Sequence, residues 1–181
     1  MLLETISLAL SSPALTPSIL QASKAYLFLL PPTSPTSSRE KIVGCVIAQR
    51  ISTAMAIASP AECISACKPE APSSSSPFTS SLPLSPAPTP TATLIAVDTS
   101  TGLFCHPAPL PTPLGIPRLF VPSTHRRQGI ASKLLSTAAE TFIHGCPLDP
   151  RKGQVAFTQP TGDGGAVMCE WGGGGVRIYE E

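Results

Sequence analysis

Apolar residues along this chain follow two rhythms, and each predicts an element. In KAYLFLL (24–30) and KIVGCVIAQRI (41–51) β-branched and aromatic residues cluster, and the PPTSPTSSRE between them holds too many prolines for regular structure, so the pair reads as a hairpin with an enlarged loop. TLIAV and GLFC are shorter strand candidates, and IPRLFV (116–121) is a stronger one. From Ile130 to His144 the rhythm changes, with Ala131, Leu134, Leu135, Ala138 and Phe142 recurring at three and four, which makes one helical face. QVAFTQP (154–160) reads as a strand ended by Pro160, and GVRIYEE (175–181) as a last strand, with the glycines at 172–175 as a flexible joint. At the other end Leu2, Leu3, Ile6 and Leu10 sit at the spacing of a short helix. The second half therefore predicts strand, glycine-containing turn, helix, strand, strand.

Composition narrows the picture. A length of 181 residues leaves room for one domain, but Pro, Ser and Thr fill 17 of the 24 positions from Pro69 to Ala92, too little apolar surface to offset the entropy of ordering, so this stretch predicts a disordered insertion. Glu4, Pro13, Pro17 and the absence of a basic start exclude a signal peptide or membrane span in the first twenty residues. A net charge of +1 gives no general pull toward nucleic acid or an anionic membrane, so any anion site must be local. Of six cysteines only Cys63 and Cys67 are closely spaced, without the second pair or the histidine that would complete a tetrahedral zinc site, so no metal and a reducing compartment are expected. His106, His125 and His144 lie too far apart to be assigned as ligands, and Trp171 and Tyr179 read as packing aromatics.

Against this low charge, the stretch FVPSTHRRQGIASKLL (120–135) stands out. A glycine-containing turn at a helix start leaves several backbone N–H groups without intrahelical partners, and the helix dipole adds roughly half a positive charge there. That makes an anion cradle. Arg126 or Arg127 adds side-chain donors, Gly129 permits close backbone approach to a phosphate, and small Ala131 leaves space for a bulky ligand. Diphosphate fits such a cradle. The Gly-Lys-Ser/Thr of a Walker loop and the three glycines of a dinucleotide fingerprint are both absent.

The form Arg-x-x-Gly-x-Ala after a strand resembles the acetyl-CoA turn of GNAT-type acetyltransferases, and residues 115–165 as a whole resemble the catalytic domain of the sister-chromatid cohesion N-acetyltransferases. The matching pieces, in order, are Gly115-Ile116 with Arg118, Phe120 where the family usually has Trp, RRQGIASKLL, FIHG where the family has Phe-Ile-Tyr-Gly, and VAFTQPT where it has Ala-Phe-Ser-Gln-Pro-Thr. Upstream, IVGCVIAQRI and FCHPAPLPTPLGI resemble the family's Val-Val-Gly-Cys strand and its Cys- and Pro-containing segment.

The resemblance implies one α/β (α+β) acetyltransferase domain over residues 1–181 in a GNAT-type acyl-CoA N-acyltransferase fold: a mixed, twisted sheet with helices on two faces, splayed where the cofactor binds. It implies acetyl-CoA as cofactor, with Leu119, Phe120 and Val121 beside the pantetheine arm, Arg127, Gln128, Gly129, Ile130, Ala131 and Ser132 on the pyrophosphate with Arg126 next to them, and Thr161, Gly162 and Asp163 in a loop closing over the cofactor. It further implies transfer to a lysine of cohesin's SMC-type ATPase subunit during DNA replication, in the nucleus, with the cohesin complex and possible replication proteins as partners, and no direct nucleic-acid site, membrane or metal. A lysine amine, with a free pKa of about 10.4, must lose a proton before attack, a task for a carboxylate acting directly or through water.

At that task the chain departs from the family. Ser136 stands where relatives commonly carry an acid, Gln159 where some do, and Pro117 where relatives have a functional serine, leaving Glu140, one turn beyond Ser136, as a substitute. The family's upstream two-Cys two-His zinc finger has no match, so the chain reads as a fragment, a mispredicted product or a diverged member. Three functions follow: an active cohesin acetyltransferase, a cohesin-binding module without a working base, or a GNAT-type enzyme with another amine acceptor.

Overall fold

The computed structural model describes residues 2–32, 40–59, 94–98, 102–158 and 162–180. The Pro- and Ser-rich stretch 69–92, Cys63, Cys67, Gln159 and Thr161 fall outside them. Two helices, α1 (Leu2–Ala9) and α2 (Pro17–Gln21), precede strands β1 (Ser23–Leu30), β2 (Lys41–Arg50), β3 (Thr53–Ile57), β4 (Ile95–Asp98), β5 (Leu103–Pro111) and β6 (Leu114–Phe120). The glycine turn then leads into α3 (Ile130–Thr141), followed by β7 (Val155–Phe157), α4 (Gly162–Gly172) and β8 (Arg177–Ile178). The described strands form one eight-stranded sheet in the order β1-β2-β6-β7-β8-β3-β5-β4.

The predicted hairpin forms: β1 and β2 are antiparallel, with Tyr26 opposite Val46. As an inner strand covered on both faces, β2 has a continuous buried run from Val43 to Ala48. On one face α3 packs its stripe of Ile130, Leu134, Leu135, Ala138 and Ala139 against the main core. The helix lies close because residue 44 is glycine; a Cβ there would come within 2.8 Å of Ile130 Cγ2 and Leu134 Cδ1. On the other face Ile6 of α1 is buried with Cys45 and Ile47 and packs near Phe120. Arg118, itself buried, fastens the segment between α1 and α2 by donating to the Pro13 carbonyl at 2.9 Å.

Three features differ from the sequence-based expectation. Gly162 and Asp163 open helix α4 instead of lying in a loop, although GDGGAVMCEWG is a poor helix former. The reason is topological: β7 runs parallel to both β6 and β8, and each parallel connection needs a crossover, which α3 and α4 supply. Met168, 2% exposed, and Trp171 anchor α4 to the core. The glycines at 172–175 are anchored at both ends, with Gly173 and Gly174 exposed between them: Gly172 ends α4, and a Cβ on Gly175 would lie 2.2 Å from the Arg151 carbonyl oxygen. Finally β3, absent from the hydrophobic reading, sits between β8 and β5. Its five residues, TAMAI, are too short and too rich in alanine to register as a strand.

Candidate functional site at the start of α3

The site begins where the sheet stops pairing. The β6–β7 register runs from Leu114 opposite Val155 to Ile116 opposite Phe157 and ends there. Thr158 makes the last link, its hydroxyl donating to the Pro117 carbonyl at 3.1 Å. Past this point β6 continues along β2, with Leu119 opposite Val46 and Phe120 opposite Cys45. Among the described residues β6 thus runs on at Arg118–Phe120 past the last residue of β7. Leu119 packs toward the α3 core and Phe120 toward α1, while Val121 lies just beyond the strand.

After Val121 the chain makes a single 3-10 turn at Ser123–His125, closed by His125 N–H donating to the Pro122 carbonyl at 2.9 Å. Arg127, at φ 60°, and Gly129, at φ 73°, both take the left-handed conformation and flank Gln128. This alternation turns backbone N–H groups toward one side, as in an anion-binding nest. The first intrahelical bond runs from Lys133 N–H to the Gly129 carbonyl at 3.0 Å, so the N–H groups of Ile130, Ala131 and Ser132 lie ahead of the ladder. Gly129 has no side chain to cap them, the first turn contains no acid, and a Cβ at residue 129 would meet nothing within 4 Å. The space over the helix start is open and its field is positive, which fits a diphosphate.

Arg126 joins the end of β6 to the first turn of α4. Its Nε donates to the Val121 carbonyl at 3.4 Å, and an Nη donates to Asp163 Oδ2 at 2.5 Å, 37 residues further along the chain. Gln128 reaches back to the Thr124 carbonyl at 3.5 Å. The structure therefore brings together Leu119, Phe120, Val121, the turn 126–132 and Asp163. Asp163 meets Arg126 as an ion-pair partner from the first turn of α4, a relation no sequence signal announces.

The candidate bases are arranged differently. Ser136 accepts a hydrogen bond from Trp171 Nε1 at 3.0 Å, and Trp171 stands edge-on to Phe157 with centroids 6.5 Å apart. The serine is thus a tie between α3 and α4. Glu140, one turn further along α3, is exposed and lines a groove of about 570 Å³ beside β1 together with Ser132, Ser136, Lys133 and Tyr26. Tyr179 is buried, and its hydroxyl accepts from Gln49 Nε2 at 3.0 Å, so it packs as expected. Burial pushes the Cys45 and Cys105 thiols up to about 11, as suits inert core positions. Among the described residues no three His, Cys, Asp or Glu side chains group to hold a metal ion, and no helix is long and apolar enough to cross a membrane.

Comparison with known proteins bears on the same segment. The ESCO1/2 acetyl-transferase family matches residues 111–179. N-acetyltransferase ECO1 of Yarrowia lipolytica is 45% identical over 71 residues, 39% of this chain and 25% of that protein. N-acetyltransferase ESCO2 of Homo sapiens is 30% identical over 141 residues, 78% of this chain and 18% of that protein. The chain thus spans a quarter or less of the length of these two relatives. Among solved structures, the xEco2 acetyltransferase domain bound to "K105-CoA conjugate" shares the fold at a TM-score of 0.64 and 22% identity, covering 98% of this chain and 79% of that one. The stretch that matches the ESCO1/2 acetyl-transferase family, residues 111–179, is thus the one that builds β6, the glycine turn, α3, β7 and α4.

Proposed function

We propose that the protein is an acetyl-CoA-dependent lysine N-acetyltransferase that acts on the SMC-type ATPase subunit of cohesin, in the nucleus, during DNA replication. What supports the reading above all is that the family match falls on the segment carrying the uncapped, glycine-started α3 that follows β6. Acetyl-CoA supplies a thioester as acyl donor. The chain's own contribution is to bind and orient it: the N–H groups of Ile130, Ala131 and Ser132, with Arg126 and Arg127, hold the diphosphate, and the free edge of β6 at Leu119–Phe120 lines the pantetheine arm. Holding both reactants in line lowers the entropic part of the barrier. A backbone N–H at the end of β6 meets the charge that develops on the thioester oxygen.

One observation favours a second reading, a cohesin-binding module that retains the cofactor pocket without turnover. Ser136 is a hydroxyl already bonded to Trp171 and Gln159 carries no titratable carboxylate, so the two positions where relatives carry an acid supply no base. A single experiment separates the readings. Purified protein is titrated with acetyl-CoA in a calorimeter and then incubated with acetyl-CoA and the cohesin ATPase head, with acetylated lysines read by mass spectrometry. Binding with acetylation supports the enzyme; binding without it supports the module; absence of binding overturns both.

A further inference from the structure

We infer that Asp163 is a positioning residue for the cofactor diphosphate, acting through Arg126; the inference rests on the acetyl-CoA reading above. The Arg126 guanidinium is held from two sides. The Val121 carbonyl takes its Nε at 3.4 Å and Asp163 Oδ2 takes an Nη at 2.5 Å, which lays the side chain across the gap between the end of β6 and the first turn of α4. The bonds leave other N–H donors of the fork available to a ligand oxygen. They also fix a side chain that would otherwise have to lose its rotamer freedom when the ligand arrives.

A structural explanation alone does not account for this pair. The side chains are 50% and 80% exposed, and ion pairs so open to water add little to folding. A carboxylate beside an anion site also repels the ligand, so its presence there calls for a compensating role. Orientation of Arg126 is such a role, and the two effects have different salt dependence. Repulsion between an exposed Asp163 and a ligand anion more than about 8 Å away is largely screened at physiological ionic strength, whereas the contact of Asp163 with Arg126 at 2.5 Å is screened much less. The orienting effect therefore dominates at physiological salt and above, and removing the carboxylate weakens binding.

The test is a double-mutant cycle of Asp163→Asn, Arg126→Ala and the pair together, with CoA affinity measured by calorimetry at 0.15 and 0.5 M salt and thermal melts as the check on folding. Asp163→Asn is expected to weaken CoA binding threefold to tenfold at both salts while the melting temperature stays within about 2 °C, and the double variant is expected to bind no more weakly than Arg126→Ala alone. If Asp163→Asn leaves affinity unchanged or tightens it, or if the two losses simply multiply, the inference is overturned while CoA binding by the unaltered protein keeps the acetyltransferase reading in place. If the unaltered protein itself binds no CoA, that reading falls and the inference falls with it.

Discussion

Helices α3 and α4 both start beside the end of a parallel strand, yet their first turns are opposite in chemistry. The start of α4 carries its own carboxylate, Asp163, placed where the helix dipole favours negative charge. The start of α3 has a left-handed glycine, no capping side chain and no acid, with Arg126 and Arg127 immediately before it. One helix start carries a negative charge of its own and the other carries none. In this fold the anion site is defined by what the sequence withholds at Gly129 as much as by the arginines it adds.

The sharpest way to break the contrast is to give α3 what α4 has. Gly129→Asp places a carboxylate over the helix start, and like charges brought together at a binding surface cost several kcal/mol, so acetyl-CoA affinity should fall at least about hundredfold by calorimetry. An unchanged affinity would move the anion site away from α3. Arg127→Gly separates charge from backbone. The left-handed φ of 60° suits glycine better than arginine, so the melting temperature should hold or rise slightly while cofactor affinity falls about tenfold through loss of a charge-assisted donor.

Smaller effects come from the sheet on which both helices stand. The Cys45 and Cys105 thiols are pushed up from 9.0 to about 11 by burial, so the folded state holds their protons more tightly than the unfolded chain does. Their contribution to stability is complete below pH 9.0 and is lost as pH rises through about 11, on the order of 1 kcal/mol for each thiol by pH 10.5. Urea unfolding at pH 8 and pH 10.5 should show the loss, and Cys45→Ala or Cys105→Ala should flatten it. The smallest effect expected is that of Glu140→Gln, which should change cofactor affinity and any acetyl transfer by less than about twofold. A large loss of transfer would identify Glu140 as the base.

Much of this arrangement was legible in the chain, for local reasons. Each strand of the β1–β2 hairpin, the apolar stripe of α3 and the glycine turn depend on residues within a dozen positions, where periodicity and backbone freedom act directly. The elements missed were those that only distant partners stabilise. Helix α4 has a poor helical sequence and is held by Met168 and Trp171 against the core, and short β3 is defined by its neighbours β5 and β8. Glu140 shares a helix face with Ser136, as the spacing says, but the groove that both line exists only because β1 lies alongside α3.

The sequence by itself determined that a glycine turn with two arginines opens the helix after β6, the place of the proposed anion cradle, because these residues act through their own backbone and charge. Only the tertiary structure decided how that cradle is completed. It set Asp163 on Arg126 across 37 residues, Trp171 on Ser136 across 35, and the end of β6–β7 pairing at Ile116. A hydrogen bond between residues so far apart exists only once both crossovers have folded onto the sheet, and no local pattern in the chain encodes that meeting.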